Sequence, residues 1–335
     1  MNSKRWIALG VALGLFIFSA VFNLVTSLAF GDFGGFSENW LATDQEFVET
    51  VLEEGTDFEK IVVLDVNGTI MDSGDVTSLF ASATYNHRAF LRMLDQAAED
   101  EMVEGIVIRV NSPGGGVVES AEIHDRIIEI KEQTNKPIYI SMGSMAASGG
   151  YYIAAPATKI YASPETLTGS LGVIFQSINY SGLAEKYGVK WETVKSGQYK
   201  DIMSPSREMT EEERQILQKM INNAYDGFVK VISEGRNIPE QTVRQIADGR
   251  IYDGRQAKDL NLVDEFGYWD DAVAGMKNEY KLGDVSVVQY EAGYGLPSFL
   301  SMGAQKLFSG DQELIGLTKL LSQPNAPRPM YMYQE

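Results

Sequence analysis

Two spacings of apolar residues alternate along most of the chain. Ile61-Val62-Val63-Leu64-Asp65-Val66, Gly105-Ile106-Val107-Ile108-Arg109-Val110 and Pro137-Ile138-Tyr139-Ile140 are short runs rich in β-branched residues. Short runs of this kind predict strands. Between them the spacing becomes helical, with Phe90, Leu91, Leu94 and Ala98 after the first run and Ala121, Ile123, Ile127 and Ile130 after the second. A short helix is expected over Tyr151 to Ala155. The clearest helix runs from about Glu211 to Glu234: Thr210 can cap it, Glu213 can close a capping box, and Leu217, Met220, Ala224, Phe228 and Val231 form one apolar stripe. That stripe is expected in the core or at a subunit interface. The alternation indicates an α/β protein with helices packed on a largely parallel sheet. No internal repeat is visible.

The pattern breaks at the N-terminus. Residues Trp6 to Gly31 carry no charged side chain, and the run from Ile7 to Phe30 is dominated by Ala, Leu, Val, Ile and Phe. About 20 apolar residues suffice to cross the hydrocarbon core, so a single transmembrane helix is expected there. Lys4 and Arg5 precede it, while Asp32, Glu38, Asp44 and Glu46 follow. The positive-inside rule then leaves the N-terminus in the cytoplasm and the rest outside. A cleaved signal peptide fits less well. The run is longer than an ordinary apolar core, and Ser27-Leu28-Ala29-Phe30 offers no small-x-small cleavage site.

Composition narrows the chemistry. The chain of 335 residues has 28 Lys and Arg against 46 Asp and Glu, a net charge of −18 that argues against a groove built to neutralise nucleic-acid phosphates. The absence of cysteine excludes disulfides, thiol nucleophiles and thiolate zinc sites. Only His87 and His124 remain for imidazole chemistry. Each falls in a helical stretch and is expected to pack or cap. No metal or cofactor is implied.

Three segments carry candidate chemistry. Asn111-Ser112-Pro113-Gly114-Gly115-Gly116 follows a strand, and glycines there free backbone N–H groups to face a site, as an oxyanion hole requires. By itself it is equally an ordinary strand–helix turn. In Ser144-Met145-Ala146-Ala147-Ser148-Gly149-Gly150 small residues leave room for a substrate backbone beside Ser148; the N–H of Gly149, with that of Gly115, can face an oxyanion. The simpler alternative is that Ser148 only caps a helix. Lys200, in Ser196-Gly197-Gln198-Tyr199-Lys200-Asp201-Ile202-Met203-Ser204-Pro205, can act as a base if its amine is held neutral, although an isolated lysine in a loop is usually just solvated. Ser170, in Thr166-Leu167-Thr168-Gly169-Ser170-Leu171-Gly172-Val173, is the hydroxyl chosen to orient that amine. Asp248, Arg250, Asp253 and Arg255 read as a structural ion-pair and turn cluster.

With these motifs in the order 111–116, 144–152, 168–173 and 200–205, followed by Asp248-Gly249-Arg250 and Tyr252-Asp253-Gly254-Arg255-Gln256-Ala257, the chain resembles the bacterial signal peptide peptidases over about Lys60 to Met276. The resemblance implies a Clp protease/crotonase-like fold of strand–strand–helix units. It also implies a serine peptidase with a Ser148/Lys200 dyad supported by Ser170, and Gly115 and Gly149 as the oxyanion hole. The expected organisation is a cytoplasmic N-terminus and anchor over 1–31, a stalk over 32–58, a protease domain over 59–295 and a C-terminal extension over 296–335. Peptides, above all hydrophobic signal peptides, are the expected substrates. The long form of the family carries two copies of the domain and this chain one, so a homo-oligomeric ring is expected. The dyad then closes either within a subunit or across two. The loose tail from Pro324 to Glu335 is able to enter the protein's own site. An acyl-CoA enzyme of the crotonase superfamily and a non-catalytic scaffold are the rival readings, disfavoured by the outside placement and by the retention of both Ser148 and Lys200.

Overall fold

The computed structural model describes residues 14–15, 18–19, 47–72, 85–292 and 329–333. Gly14–Leu15 and Phe18–Ser19 are helical and belong to a unit formed by 1–46 and 293–307, separate from the one described below. The rest of the expected span over 7–30 lies outside the described residues. Among the described residues no helix is long and apolar enough to cross a membrane.

The second unit is built on a nine-stranded sheet. Its strands are β1 (Phe47–Glu53), β2 (Lys60–Asn67), β3 (Val103–Ser112), β5 (Ile138–Ala147), β6 (Lys159–Ala162), β7 (Leu167–Gly169), β8 (Ile251–Asp253), β9 (Glu265–Phe266) and β10 (Ser286–Ala292). The order is β1-β10-β2-β3-β5-β6-β9, with β7 beside the end of β5 and β8 beside β7. Pairing is parallel except for β1 with β10 and β7 with β8. A separate two-stranded ladder joins β4 (Gly114–Gly116) to β11 (Met330–Met332).

Both faces of the central strands are covered, which is why β2 and β3 read as continuous apolar runs. Val62, Leu64, Ile106, Ile108, Ile138 and Ile140 face the main core, shared with helices α1 (His87–Glu99), α2 (Val117–Thr134) and α3 (Gly149–Ala154) and the C-terminal half of α5 (Glu211–Arg236). The alternate residues Ile61, Val63, Val107 and Tyr139 face a smaller core under α8 (Trp269–Tyr280), through Ala272, Val273 and Met276. Short helices α4 (Ser181–Lys186), α6 (Glu240–Ile246) and α7 (Gly254–Asp259) complete the unit.

The capping box at Thr210 and Glu213 is formed, with Glu213 N donating to Thr210 Oγ1 at 3.2 Å and Thr210 N donating to Glu213 Oε2 at 3.0 Å. The apolar stripe on α5 divides: Phe228 and Val231 are buried, whereas Met220 is 46% exposed. The histidines pack. His87 is buried between Tyr85 OH at 2.7 Å and Glu122 Oε2 at 2.6 Å, and His124 lies edge-on to Tyr152. Asp253 caps α7, Arg250 pairs with Asp248, and Arg255 pairs with Glu165.

Two segments differ from the sequence expectation. Phe47–Glu53, read as stalk, is an edge strand whose partner β10 lies some 240 residues away. The C-terminal extension, read as flexible, contributes β11, whose Tyr331 is 2% exposed. Neither is visible as local pattern, because the contacts that order each segment are distant in sequence.

Candidate active site

At the ends of β3 and β5 the register shifts, so that Ser112 pairs with Ala146. This sets the glycine turn beside the segment that ends in Ser148, at the carboxyl edge of the parallel strands where open α/β sheets form their sites. Gly114 turns the chain at φ 102°, a conformation a side chain resists, and its N–H donates to Ser112 Oγ at 3.0 Å. Side chains extend β5 past its apolar run. Asn111 Oδ1 accepts from Ser144 Oγ at 2.9 Å and from Met145 N at 3.2 Å. Thr166 Oγ1 donates to Gly143 O at 2.8 Å, and Thr168 Oγ1 donates to Ala146 O at 2.6 Å.

Ser148 follows at φ 53° and ψ −113° and is 1% exposed. Such backbone costs a residue with a Cβ on the order of 1–2 kcal/mol. It is held by Ser148 N donating to Gly169 O at 2.8 Å and by Tyr152 N donating to Ser148 O at 2.8 Å. Ser148 stands at the N-cap position of α3, yet its hydroxyl makes no capping bond and has no hydrogen-bond partner among the described residues. The capping alternative therefore does not explain it. Buried polar atoms are nearly always paired, so an orphaned hydroxyl on strained backbone marks a site of chemistry.

The two glycines converge on this hydroxyl's neighbourhood. A Cβ placed on Gly149 would lie 2.9 Å from Gly115 N, 3.1 Å from Tyr331 O and 2.7 Å from Ser120 Oγ. One placed on Gly114 would lie 2.1 Å from Tyr331 O and 2.6 Å from Gly149 N. The carbonyl of Tyr331 thus lies close against Gly114 and Gly149. β11 lies along β4 as an extended peptide substrate would, with Tyr331 opposite Gly115. Its side chain fills an aromatic pocket, stacked on Tyr152 at 4.8 Å and tilted against Phe228 at 4.7 Å, and its hydroxyl donates to Ala224 O at 3.0 Å. Burial pushes the Tyr152 phenol up to about 12 and holds that of Tyr331 well above its usual range.

Ser170 is placed by β7, whose Gly169 pairs with Ala147. Its backbone is also left-handed, at φ 50°, and its N–H donates to Arg250 O at 2.7 Å. A cleft of about 440 Å³ opens beside it, lined by Gly172, Ile174, Ile221, Tyr225 and Met332 among others. Ser148, Ser170, Gly115 and Gly149 are therefore brought together. Lys200 is not: it is exposed on a turn of the 175–209 arm, and no side chain of the described residues reaches Ser148 Oγ within hydrogen-bonding distance.

Sequence reasoning missed three residues at this site. The Tyr152/Phe228 pocket and the Ser120 hydroxyl, also buried and without a partner among the described residues, lie on helices whose apolar spacing reads simply as core. Tyr331 belongs to the Pro324–Glu335 tail that was expected to be able to enter the site, and β11 pairs with β4 there.

A model of peptidase family S49 matches residues 130–283, and one of Clp protease matches residues 63–168. A protein of Enterococcus faecium named "Putative signal peptide peptidase SppA" is 42% identical over 349 aligned residues, which span 99% of each chain. The chain belongs to peptidase family S49. "Protease 4" of Salmonella typhi is 36% identical over 64% of this chain and 34% of its own. "Serine protease SPPA, chloroplastic" of Arabidopsis thaliana is 29% identical over 77% of this chain and 39% of its own. Within this S49 serine peptidase, the S49 match contains Ser148, Ser170 and Lys200, and the Clp match contains Gly115, Ser148 and Gly149.

Proposed function

We propose that this chain is a membrane-anchored serine endopeptidase that degrades remnant signal peptides and other short or unfolded peptides after their release. Its protease domain sits outside the cytoplasmic membrane. The observation that carries the reading is Ser148: a buried hydroxyl without a partner among the described residues, on left-handed backbone, in a segment whose Gly149 packs against Gly115 N and the Tyr331 carbonyl. In the proposed reaction Ser148 Oγ attacks the scissile carbonyl and its proton passes to neutral Lys200. Gly115 N and Gly149 N stabilise the tetrahedral oxyanion, and the leaving amine takes the proton back. Lys200 next deprotonates the water that releases the acyl group. Ser170 orients the lysine amine. The aromatic pocket that holds Tyr331 favours large apolar side chains, which suits the cores of signal peptides.

The dyad closes across two copies in this reading, within a homo-oligomeric ring. Two observations support it: Lys200 stands away from Ser148 in its own chain, and the arm that bears it exposes Ile178, Leu183, Tyr187, Trp191 and Val194. Apolar groups displayed together in this way mark an association surface. The cleft beside Ser170 offers a place for an incoming lysine.

The test is peptide hydrolysis by the parent, by Ser148→Ala and by Lys200→Ala, each alone and then as a mixture of the two variants. Each variant alone is expected to lose at least roughly 10³-fold in kcat. Mixing them should recover part of the activity, because some interfaces then pair an intact serine with an intact lysine. Turnover by Ser148→Ala at the parent rate would overturn the proposal. Failure of the mixture to recover would confine the dyad to one chain. An acyl-CoA enzyme or a silent scaffold has no use for an orphaned hydroxyl beside a seated peptide strand.

A further inference from the structure

Lys200 is followed immediately by Asp201. An ionised carboxylate close to a lysine favours the ammonium form, which is the wrong form for a base. The structure binds this carboxylate tightly. Arg207 Nε donates to Asp201 Oδ2 at 2.9 Å, and Arg207 Nη2 donates to Asp201 Oδ1 at 2.8 Å and to the Asp201 carbonyl at 3.0 Å. From the other side Lys195 Nζ donates to Asp201 Oδ1 at 2.6 Å and to Gln198 O at 3.0 Å. The Asp201 side chain is only 16% exposed, and Arg207, with Lys195, holds its carboxyl well below the usual range.

Arg207 is anchored in turn. Its Nη1 donates to Glu213 Oε2 at 2.8 Å and to Glu208 O at 3.0 Å, and its Nη2 donates to Glu213 Oε1 at 2.5 Å. Glu213 is the capping-box residue of α5, with a side chain 2% exposed. The planar guanidinium therefore spans from the first turn of the longest described helix to the turn that carries Lys200, a geometry that the single ammonium of a lysine cannot reproduce. The charged groups that face Asp201 are Lys195 from the preceding loop, Arg207 from the following one and Glu213 from α5. Two cations and two carboxylates make a cluster of no net charge.

We propose that Arg207 is a positioning residue for Lys200, fixing its turn on α5 and, with Lys195, cancelling the charge of Asp201, the next residue in the chain. The inference rests on Lys200 as the general base. Losing one member of the cluster then leaves one net charge next to that base, with a sign that depends on the member lost.

The experiment is the pH profile of kcat/KM for peptide hydrolysis by the assembled enzyme, at low ionic strength. Asp201→Asn leaves an excess positive charge, so the acid limb should move to lower pH. Lys195→Met and Arg207→Gln leave an excess negative charge, so the limb should move to higher pH. Each shift is expected at about half a pH unit, or about threefold in rate on the limb, and should shrink in high salt. Arg207→Lys keeps the charge but not the two-edged grip: its limb should stay in place while kcat falls about tenfold at unchanged KM. Asp201→Asn and Lys195→Met leave the Arg207–Glu213 contact intact, so the opposed shifts can be read even if Arg207→Gln fails to fold. Shifts of opposite sign support the inference. Coincident limbs, or limbs that move together, overturn it while an inactive Lys200→Ala leaves the dyad standing. An active Lys200→Ala overturns the dyad and this inference together.

Discussion

At the scale of single residues, Gly115 has no room for a side chain. A Cβ there would lie 1.8 Å from the carbonyl oxygen of Ile70, to which β4 is bridged on one side while β11 lies on the other. Neither neighbour is a flexible side-chain end, so Gly115→Ala must displace the strand that presents the proposed oxyanion donor. Its kcat is expected to fall roughly 10²–10³-fold, as for loss of one such donor, with KM changing less. Steady-state kinetics on an assembled variant would check this. Ser148, Gly115 and Gly149 could be singled out in the sequence because small residues cluster in two short segments, 111–116 and 144–150. Arg207 was not legible there, and of Tyr331 only the entry of its tail was. What gives Arg207 its place is a grip on Asp201 and Glu213 at once, and what gives Tyr331 its place is a pocket made by Tyr152, Ala224 and Phe228. A solvated arginine and a tail tyrosine look the same by local pattern.

At the scale of elements, α5 shows how a helix can be fixed at its start and left uncovered along its first half. Hydrogen bonds from Arg207, then from the Thr210 N–H, lower the Glu213 carboxyl to about 2 from a reference near 4.5. A carboxyl whose folded value is depressed stabilises the fold above its unfolded value and loses that contribution as pH falls through the folded one. Acid should therefore weaken the α5 start between about pH 4.5 and pH 2. Glu213→Gln should flatten that part of the thermal midpoint against pH, measured by circular dichroism, while lowering the midpoint at neutral pH. The capping box and the helix bounds were readable from sequence because capping is a four-residue matter. The full length of β5 was not: Ser144 and Met145 are held in the strand by Asn111, and Gly143 and Ala146 by Thr166 and Thr168, all distant partners. The edge strand Phe47–Glu53 was hidden for the same reason, since its intermediate and exposed positions do not alternate cleanly.

At the scale of the whole molecule, an uncovered helix half and an apolar arm belong to one surface question. The net charge of −18 repels copies in general, so association must come from shaped apolar contact. Replacing Trp191 and Val194 by Glu puts charge where the arm presents 57% and 102% exposed apolar side chains. If the proposed ring is correct, the double variant should sediment as a smaller species, keep its secondary structure and lose at least roughly tenfold in peptide turnover. Full activity in a monomeric variant would tell against a dyad shared between copies.

The strand that lies along β4 belongs to the same polypeptide as the site it occupies. A tethered occupant behaves as though present at a constant, high local concentration, set by the length of its connection and untouched by diluting the protein. In the proposed peptidase a passing peptide would compete against a rival that never diffuses away. Long apolar segments, able to fill the aromatic pocket and pair along the glycine strand at once, are the ones equipped to displace it. In the proposed peptidase short polar peptides would be left unread, and the tail would act as a threshold on what the site accepts.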